Sequence, residues 1–364
     1  MVGIEKIFTK IKFNKMSSGL HSNFLNRCKQ TIGVLFYLGL MLLQPLILLA
    51  VVVSFASSPI FWFCASLYLI WYISDFETPR SGARFSESIY NWSIWTDLAN
   101  FFPIEVIKTA EIPPDRNYIF SAHPHGILGT SSAILFSTNG LNFRGLFPGI
   151  KMHPVTLGMN FWIPFRREFI LAMRIISSDR ESIKYVLSLP KEGNAVGMAP
   201  GGAAEALEAH PGSHRLILAN RKGFIKLAIQ NGASIVPVYH FGETDLYNQV
   251  NNSDGSLIRK IQRSLKASKW PTFPLAYGQN ELAAVLSDEW CAKLPTWLRR
   301  GLMPYRRRIV TIVGAPMDVE KVSAPSDELV NKLHAEYCAR LRELFNAHKV
   351  KHGGLGHDVQ LEIV

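Results

Sequence analysis

The sequence predicts an α/β fold: a mainly parallel sheet with crossover helices, preceded by an N-terminal hydrophobic membrane hairpin. Three observations carry this expectation. From Thr31 to Ser74 there is not one Asp, Glu, Lys or Arg, and about 20 apolar residues suffice to cross a bilayer. After Asn117, short apolar runs alternate with helical patterns, the order that gives parallel strands joined by crossover helices. One of those runs, Asn117-Tyr118-Ile119-Phe120, leads into Ser121-Ala122-His123-Pro124-His125-Gly126. A strand with that ending delivers two imidazoles to the rim of a sheet. Residues two apart in an extended segment share a face, so both rings are expected in one pocket.

Composition narrows the partners. The chain has 364 residues, 48% of them hydrophobic, and a formal charge of +11; its mean hydropathy is +0.11. The apolar excess points to membrane-embedded segments. The positive excess favours anionic surfaces or a phosphorylated ligand. No nucleic-acid-binding motif and no long Lys/Arg block is present, so nucleic acid is discounted. Cys28, Cys64, Cys291 and Cys338 are scattered, with no C-x-x-C pair. They read as reduced thiols of a cytosol-facing protein rather than a disulfide framework.

The elements follow in order. Residues 1–30 form a basic arm, with Lys6, Lys10, Lys12, Lys15, Arg27 and Lys29 against the single acid Glu5. The arm is too long and interrupted for a signal peptide and is expected on the cytosolic side. Residues 31–75 form the hairpin. Its first segment is 32–56, with Pro45 as a kink. The break falls at Ser57-Ser58-Pro59. The second segment, 60–74, carries Trp62, Trp71 and Tyr72, residue types that favour interfaces. A hairpin returns the rest of the chain to the cytosol. A single pass would place it in a lumen and expose the sequons Asn91-Trp92-Ser93 and Asn251-Asn252-Ser253.

Residues 76–116 begin as a turn-rich linker, Thr78 to Arg84. Tyr90, Trp92, Trp95 and Phe101-Phe102 follow. They fit an element lying at the membrane interface and, equally, a packed helix. Residues 117–348 are the main domain. Strands are predicted at 117–122, 194–199, 234–240 and 308–313. Helices are predicted at 127–137, 166–189, 203–210, 222–231 and 326–348, the last from apolar residues at helical spacing. The tail, 349–364, is Gly-rich at first and is expected to fray.

Three groups of residues can carry chemistry. His125, beside Gly126, has the less crowded backbone and is the candidate general base, with His123 orienting it or meeting a substrate carbonyl. A structural histidine pair or an H-x-H metal site would use the same four residues; no third ligand at a sensible spacing supports a metal. The second group is Ala199-Pro200-Gly201-Gly202-Ala203-Ala204-Glu205. A strand that ends in Pro-Gly-Gly offers the backbone amides of Gly201 and Gly202 as a nest for a phosphate or an oxyanion. Glu205 then faces the same sheet end as the histidines, unless it only complements the helix dipole. The third group is Arg221-Lys222-Gly223-Phe224-Ile225-Lys226. Arg221, Lys222 and Lys226 suit the phosphates of coenzyme A, or a solvated basic face. Asn160 and Arg166 are expected to line the pocket. No G-x-S-x-G elbow and no cysteine with a local base is present.

Six blocks in order resemble the diacylglycerol acyltransferase type 2 family, which also contains monoacylglycerol and wax-alcohol acyltransferases. They are Phe102-Pro103-Ile104 with Lys108-Thr109-Ala110; Asn117 to Phe120 with His123-Pro124-His125-Gly126; Gly201 to Glu205; Arg221 to Phe224; Val236-Pro237-Val238 with Phe241-Gly242-Glu243; and Leu333-His334 with His348-Lys349. Two departures stand out. Ser121-Ala122 replaces the family's usual Gly-Tyr or Gly-Val, and Phe36-Tyr37-Leu38 is a loose match to its neutral-lipid-binding pattern.

The resemblance implies an acyl-CoA-dependent O-acyltransferase similar in layout to the glycerophosphate acyltransferases, but with Leu128 where their aspartate stands. It implies an enzyme of the endoplasmic reticulum membrane that reaches lipid droplets. It carries over to His123, His125 and Glu205, with Glu205 orienting the histidine. On this reading His125 deprotonates a lipid hydroxyl, which attacks the thioester without an acyl-enzyme. Diacylglycerol is the expected acceptor, with monoacylglycerol or a long-chain alcohol as alternatives. Acyl-CoA is a substrate; no cofactor and no metal are expected. The partners are acyl-CoA, a neutral acylglycerol, the bilayer and the lipid-droplet surface, with a homo-oligomer left open. Two other classes compete: a metal-dependent lipid hydrolase and a non-catalytic lipid-droplet organiser.

Overall fold

The computed structural model describes residues 24–252, 256–267, 274–286 and 288–364. Most of the basic arm, through residue 23, and Ser253 of the second sequon lie outside the described residues.

Helix α1 (Phe24–Leu38) starts earlier than the apolar run and is not free. Arg27, Gln30, Thr31, Val34, Tyr37 and Leu38 are buried against the α/β domain. Gly33 permits the contact: a Cβ there would stand 2.9 Å from the Leu98 amide nitrogen. The first segment, expected at 32–56, therefore has one face of its first turns, through Leu38, packed on protein. An uncharged run reports hydrophobicity, not what covers it. A short π-helix, Gly39–Leu43, follows, and then α2 (Gln44–Phe55). Pro45 lacks the N–H that the Met41 carbonyl would otherwise receive, and the π-turn sits just ahead of it. Ser58 caps α3 (Pro59–Ser74) by accepting the Phe61 N–H at 3.3 Å. Residues 24–55 and 59–80 are two helices long and apolar enough to cross a membrane. From Leu42 onward, side chains such as Leu46, Ile47 and Ile60 point outward.

Residues 161–168 hold both helices of the hairpin. Tyr72 donates to the Phe161 carbonyl at 3.0 Å, Gln44 to the Pro164 carbonyl at 3.3 Å, and Tyr68 to Glu168 at 2.9 Å. Of the two settings expected for the aromatic segment, most of it takes the packed one, while Trp92 is exposed. In α4 (Ile94–Phe101), Trp95, Leu98 and Phe101 are buried, as is Phe102 after it.

Among the described residues the main sheet has seven strands: β1 (Glu105–Lys108), β2 (Tyr118–His123), β3 (Lys151–Thr156), β4 (Ile176–Ser177), β5 (Asn194–Met198), β6 (Ser234–Phe241) and β7 (Val310–Val313). Their order is β1-β7-β6-β2-β5-β3-β4. Every neighbouring pair is parallel except β7 on β6. The expected mainly parallel sheet with crossover helices is thus present, with β2 at its centre. Side chains of β2 alternate. Tyr118, Phe120 and Ala122 join one apolar layer with α4 and with α5 (Thr130–Ser137). Ile119 joins the other, with α9 (Gly223–Asn231) and α10 (Asp327–His348).

The helix expected at 166–189 is broken. It is α6 (Arg166–Ala172), strand β4 and α7 (Arg180–Leu187). Arg174 has φ 63°, a left-handed backbone that ends a helix, and Asp179 restarts one by accepting the Ser182 N–H at 2.9 Å. Between α7 and α9 lies the short α8 (Gly202–Ala206). The tail does not fray. Glu362–Ile363 pairs in parallel with Arg215–Leu216, and Leu361 is buried.

Candidate active site

Strand β2 is buried along its whole length and ends at His123. His125 is half-buried just beyond it. The two rings have different partners, and β2 ends between them. His123 stays on the sheet face of Ser121. Its Nε2 lies 3.1 Å from Ser121 Oγ and 3.0 Å from Tyr337 Oη of α10. It is fully buried, and burial, with a smaller effect from His240, pushes its pKa down to about 3. Such a group stays neutral at any working pH.

His125 is held differently. Its Nδ1 lies 2.9 Å from the Gly126 carbonyl. A carbonyl only accepts, so this bond places the proton on Nδ1 and leaves the Nε2 lone pair available. Burial lowers the pKa, against a raising contribution from the Gly126 bond. The neutral, base-competent form therefore prevails near pH 7.

Glu205, in α8, is buried and reaches the same loop. Oε1 accepts the His125 backbone N–H at 2.6 Å and Oε2 accepts the Ile217 N–H at 3.1 Å. It thus holds the backbone of His125, not the ring; the ring-orienting contact expected of it belongs to the Gly126 carbonyl. Burial raises its pKa to about 7, against the two amides and the charge of Arg221. Gly201 is obligatory here, because a Cβ would fall inside the Glu205 carboxylate. Gly202 has φ 54° and donates its N–H to the Ala199 carbonyl at 3.1 Å. That amide of the expected nest is spent on the turn.

Arg221 and Lys222 precede α9. This helix runs back into β6, so its start lies at the carboxyl end of the parallel strands, the end where His123 and His125 stand. Lys222 and Lys226, one turn apart, line a cleft of about 360 Å³ with Asp327 and Asn331 of α10. Lys222 Nζ donates to Asn331 Oδ1 at 2.8 Å. Asn160 is tied locally, donating to Thr156 Oγ1 at 2.6 Å. Arg166 is buried and donates to the Met41 carbonyl at 3.3 Å.

Glu243, within the Phe241-Gly242-Glu243 block, has no role assigned from sequence. It follows β6, the strand beside β2, with Tyr239 in register with His123. An acid just past the carboxyl end of a largely apolar strand was the available signal. Glu243 is buried, and its carboxylate accepts the Thr130 N–H at 3.0 Å, the Ser131 N–H at 2.9 Å and the Ser131 hydroxyl. It thereby caps α5. Burial raises its pKa to about 7. Gly126 has φ 65°, and its missing side chain leaves room for this carboxylate. The loop from His125 to Ser131 is thus held by two buried carboxylates, one at each end. His240, also unassigned from sequence, bridges Thr311 Oγ1 at 2.8 Å and Ser132 Oγ at 3.0 Å. Tyr37 of α1 donates to the Leu128 carbonyl at 3.2 Å within the loop. Among the described residues no group of three His, Cys, Asp or Glu could hold a metal ion.

Residues 54–364 match the family model described as diacylglycerol acyltransferase. The mouse 2-acylglycerol O-acyltransferase 1 is 37% identical over 334 residues, covering 92% of this chain and 95% of that protein. The Xenopus tropicalis diacylglycerol O-acyltransferase 2 is 41% identical over 305 residues, covering 83% and 80%. Among solved structures, the 1-acyl-sn-glycerophosphate acyltransferase PlsC of Thermotoga maritima aligns over 89% of this chain and 96% of its own, with 12% identity and a TM-score of 0.41. By the extent of the family match and the identity to these relatives, the chain belongs to the diacylglycerol acyltransferase family.

Proposed function

We propose that the chain transfers a fatty acyl group from acyl-CoA to an acylglycerol hydroxyl at a membrane, with diacylglycerol as the principal acceptor. The observation that carries this reading is the His125 ring, its Nδ1 proton fixed on the Gly126 carbonyl and its Nε2 free. Nε2 removes the hydroxyl proton as the oxygen attacks the thioester carbon. The C–S bond then breaks, and the thiolate takes the proton back from the imidazolium. Glu205 and Glu243 keep the loop in place while the ring changes charge. Arg221, Lys222 and Lys226 hold the phosphates of CoA, and the cleft beside Lys222 is large enough for part of that ligand. The paired apolar helices anchor the chain, with the α/β domain on the cytosolic face of the endoplasmic reticulum and access to lipid droplets.

Monoacylglycerol is the second reading, supported by the mouse relative's name. The test is expression in membranes that lack neutral-lipid synthesis, with labelled acyl-CoA and diacylglycerol, monoacylglycerol or a long-chain alcohol supplied in turn. Triacylglycerol should dominate the products. Chelator-sensitive release of free fatty acid, with no new ester, would favour a metal-dependent hydrolase instead. No turnover at all, with the protein present, would favour a lipid-droplet organiser.

A further inference from the structure

Arg166 and Arg167 are adjacent and both buried, yet only one has a counter-ion. Arg167 donates to Asp75 Oδ2 at 2.5 Å and to the Asp75 carbonyl, and lies 5.1 Å from the Tyr72 ring. Arg166 forms no ion pair among the described residues. Its guanidinium meets the Met41 carbonyl at 3.3 Å and the Met41 sulfur at 3.9 Å. Its Nε is buried with no hydrogen-bond partner. A guanidinium does not shed its proton to escape such a site, so the arrangement is costly until an outside acceptor completes it.

The position says what that acceptor is. Met41 stands where the first helix leaves the domain: Leu38 is buried, and Leu42 and Leu43 are exposed. Tyr37, one helical turn before Met41, donates to the Leu128 carbonyl of the His125 loop. Phe165 and Trp162, beside Arg166 in the chain, are 61% and 67% exposed and apolar. A ligand here has an apolar body and a strong hydrogen-bond acceptor, and its hydroxyl must reach His125, whose loop meets the same helical stretch one turn before Met41. We propose that Arg166 anchors the acyl acceptor by an ester carbonyl oxygen, which makes it a specificity residue for esterified lipids. The inference rests on the acyltransferase reading above. An esterified glycerol offers that carbonyl; its ether analogue offers the same hydroxyl without it.

The experiment compares 1,2-diacylglycerol with 1,2-dialkylglycerol as acceptors, using labelled acyl-CoA and membranes carrying wild type, Arg166→Gln or Arg166→Lys. Wild type is expected to favour the ester by about tenfold or more in kcat/KM, the size of one hydrogen bond to a charged group. Arg166→Gln should bring the ester down toward the ether and the ratio toward one, with the KM for acyl-CoA unchanged. Arg166→Lys should keep part of the preference. The ratio is independent of how much folded protein each membrane holds. A wild type without preference, or an Arg166→Gln variant that slows both acceptors in proportion, overturns the anchor and leaves Arg166 as a cap for the Met41 carbonyl. If wild type acylates neither lipid, the acyltransferase reading falls and the anchor falls with it.

Discussion

Glu205→Gln isolates the electrostatics of one buried carboxylate. Burial lifts the Glu205 pKa from the usual 4.5 to about 7. The folded chain therefore binds this proton more tightly than the unfolded chain does. The stability this contributes is fully present below pH 4.5 and is lost as pH rises through 7. With about 1.4 kcal/mol per pKa unit, the wild type loses about 2 kcal/mol at this site between pH 5.5 and 8.5. Gln has the same shape and does not titrate. Its Oε1 can accept the His125 N–H, but its amide NH₂ then faces the Ile217 N–H, donor against donor. That mismatch costs about 1–3 kcal/mol at every pH. The variant should be the less stable protein at pH 5.5, and the gap should close by about 2 kcal/mol at pH 8.5. Thermal unfolding of both proteins in detergent, at four pH values, reads this as a change of a few degrees in the difference between midpoints. Glu243 titrates in both proteins and cancels. A gap that stays constant or widens with pH refutes burial as the source of the raised pKa.

Three further outcomes follow from the same geometry. His125→Ala should lower acyl transfer by about 10²- to 10⁴-fold at unchanged protein level, measured with labelled acyl-CoA; near-normal turnover would remove it as the base. Gly126→Ala must adopt a left-handed backbone and put a Cβ 2.6 Å from Glu243 Cγ; a stability loss of about 2–4 kcal/mol is expected in denaturant unfolding, with activity lost alongside it. Because burial lowers the His125 pKa, kcat/KM should hold through neutral pH and fall only below 6.5; an acid limb centred near 7 would instead assign the titration to Glu205 or Glu243.

What was legible in the sequence was whatever periodicity and charge report directly. Strands β2, β5 and β6 are buried and strongly apolar, and each was expected within a residue or so of its observed span. Strand β3 was invisible because its core reads Met152-His153-Pro154-Val155, with a histidine and a proline where a strand pattern wants β-branched residues. Strand β4 is two residues long and inherits its place from pairing with β3, which no local signal encodes. The role of Glu243 is hidden from the sequence for a related reason. Its partners, Thr130 and Ser131, are more than a hundred residues away, and an acid just past a strand carries no local sign of which helix it caps. The role expected of Glu205 was drawn from side-chain chemistry, whereas its actual contact is to a backbone amide, which any residue but proline would supply at position 125.

The first helix shows most clearly what hydropathy leaves out. Thr31 to Ser74 reads as one uncharged stretch, yet neighbouring parts of it do different work. Tyr37 is buried and bonds the loop that carries His125; Leu42, five residues later, is exposed. At about 1.5 Å of rise per residue, the contact with the His125 loop and the start of the exposed apolar surface are about 7–8 Å apart along one continuous helical stretch. That spacing is built into the register of the chain and does not depend on how the domain is tilted. On the acyltransferase reading, it lets a glycerol hydroxyl meet His125 while the acyl chains behind it remain among the apolar side chains that begin at Leu42. The same helix, by its contact at Met41, brings Arg166 to the boundary between the two. On that reading the depth at which the polar end of a lipid sits would bear on which acceptor is used, and the packed face of α1, Gly33 and Tyr37 among it, sets that depth.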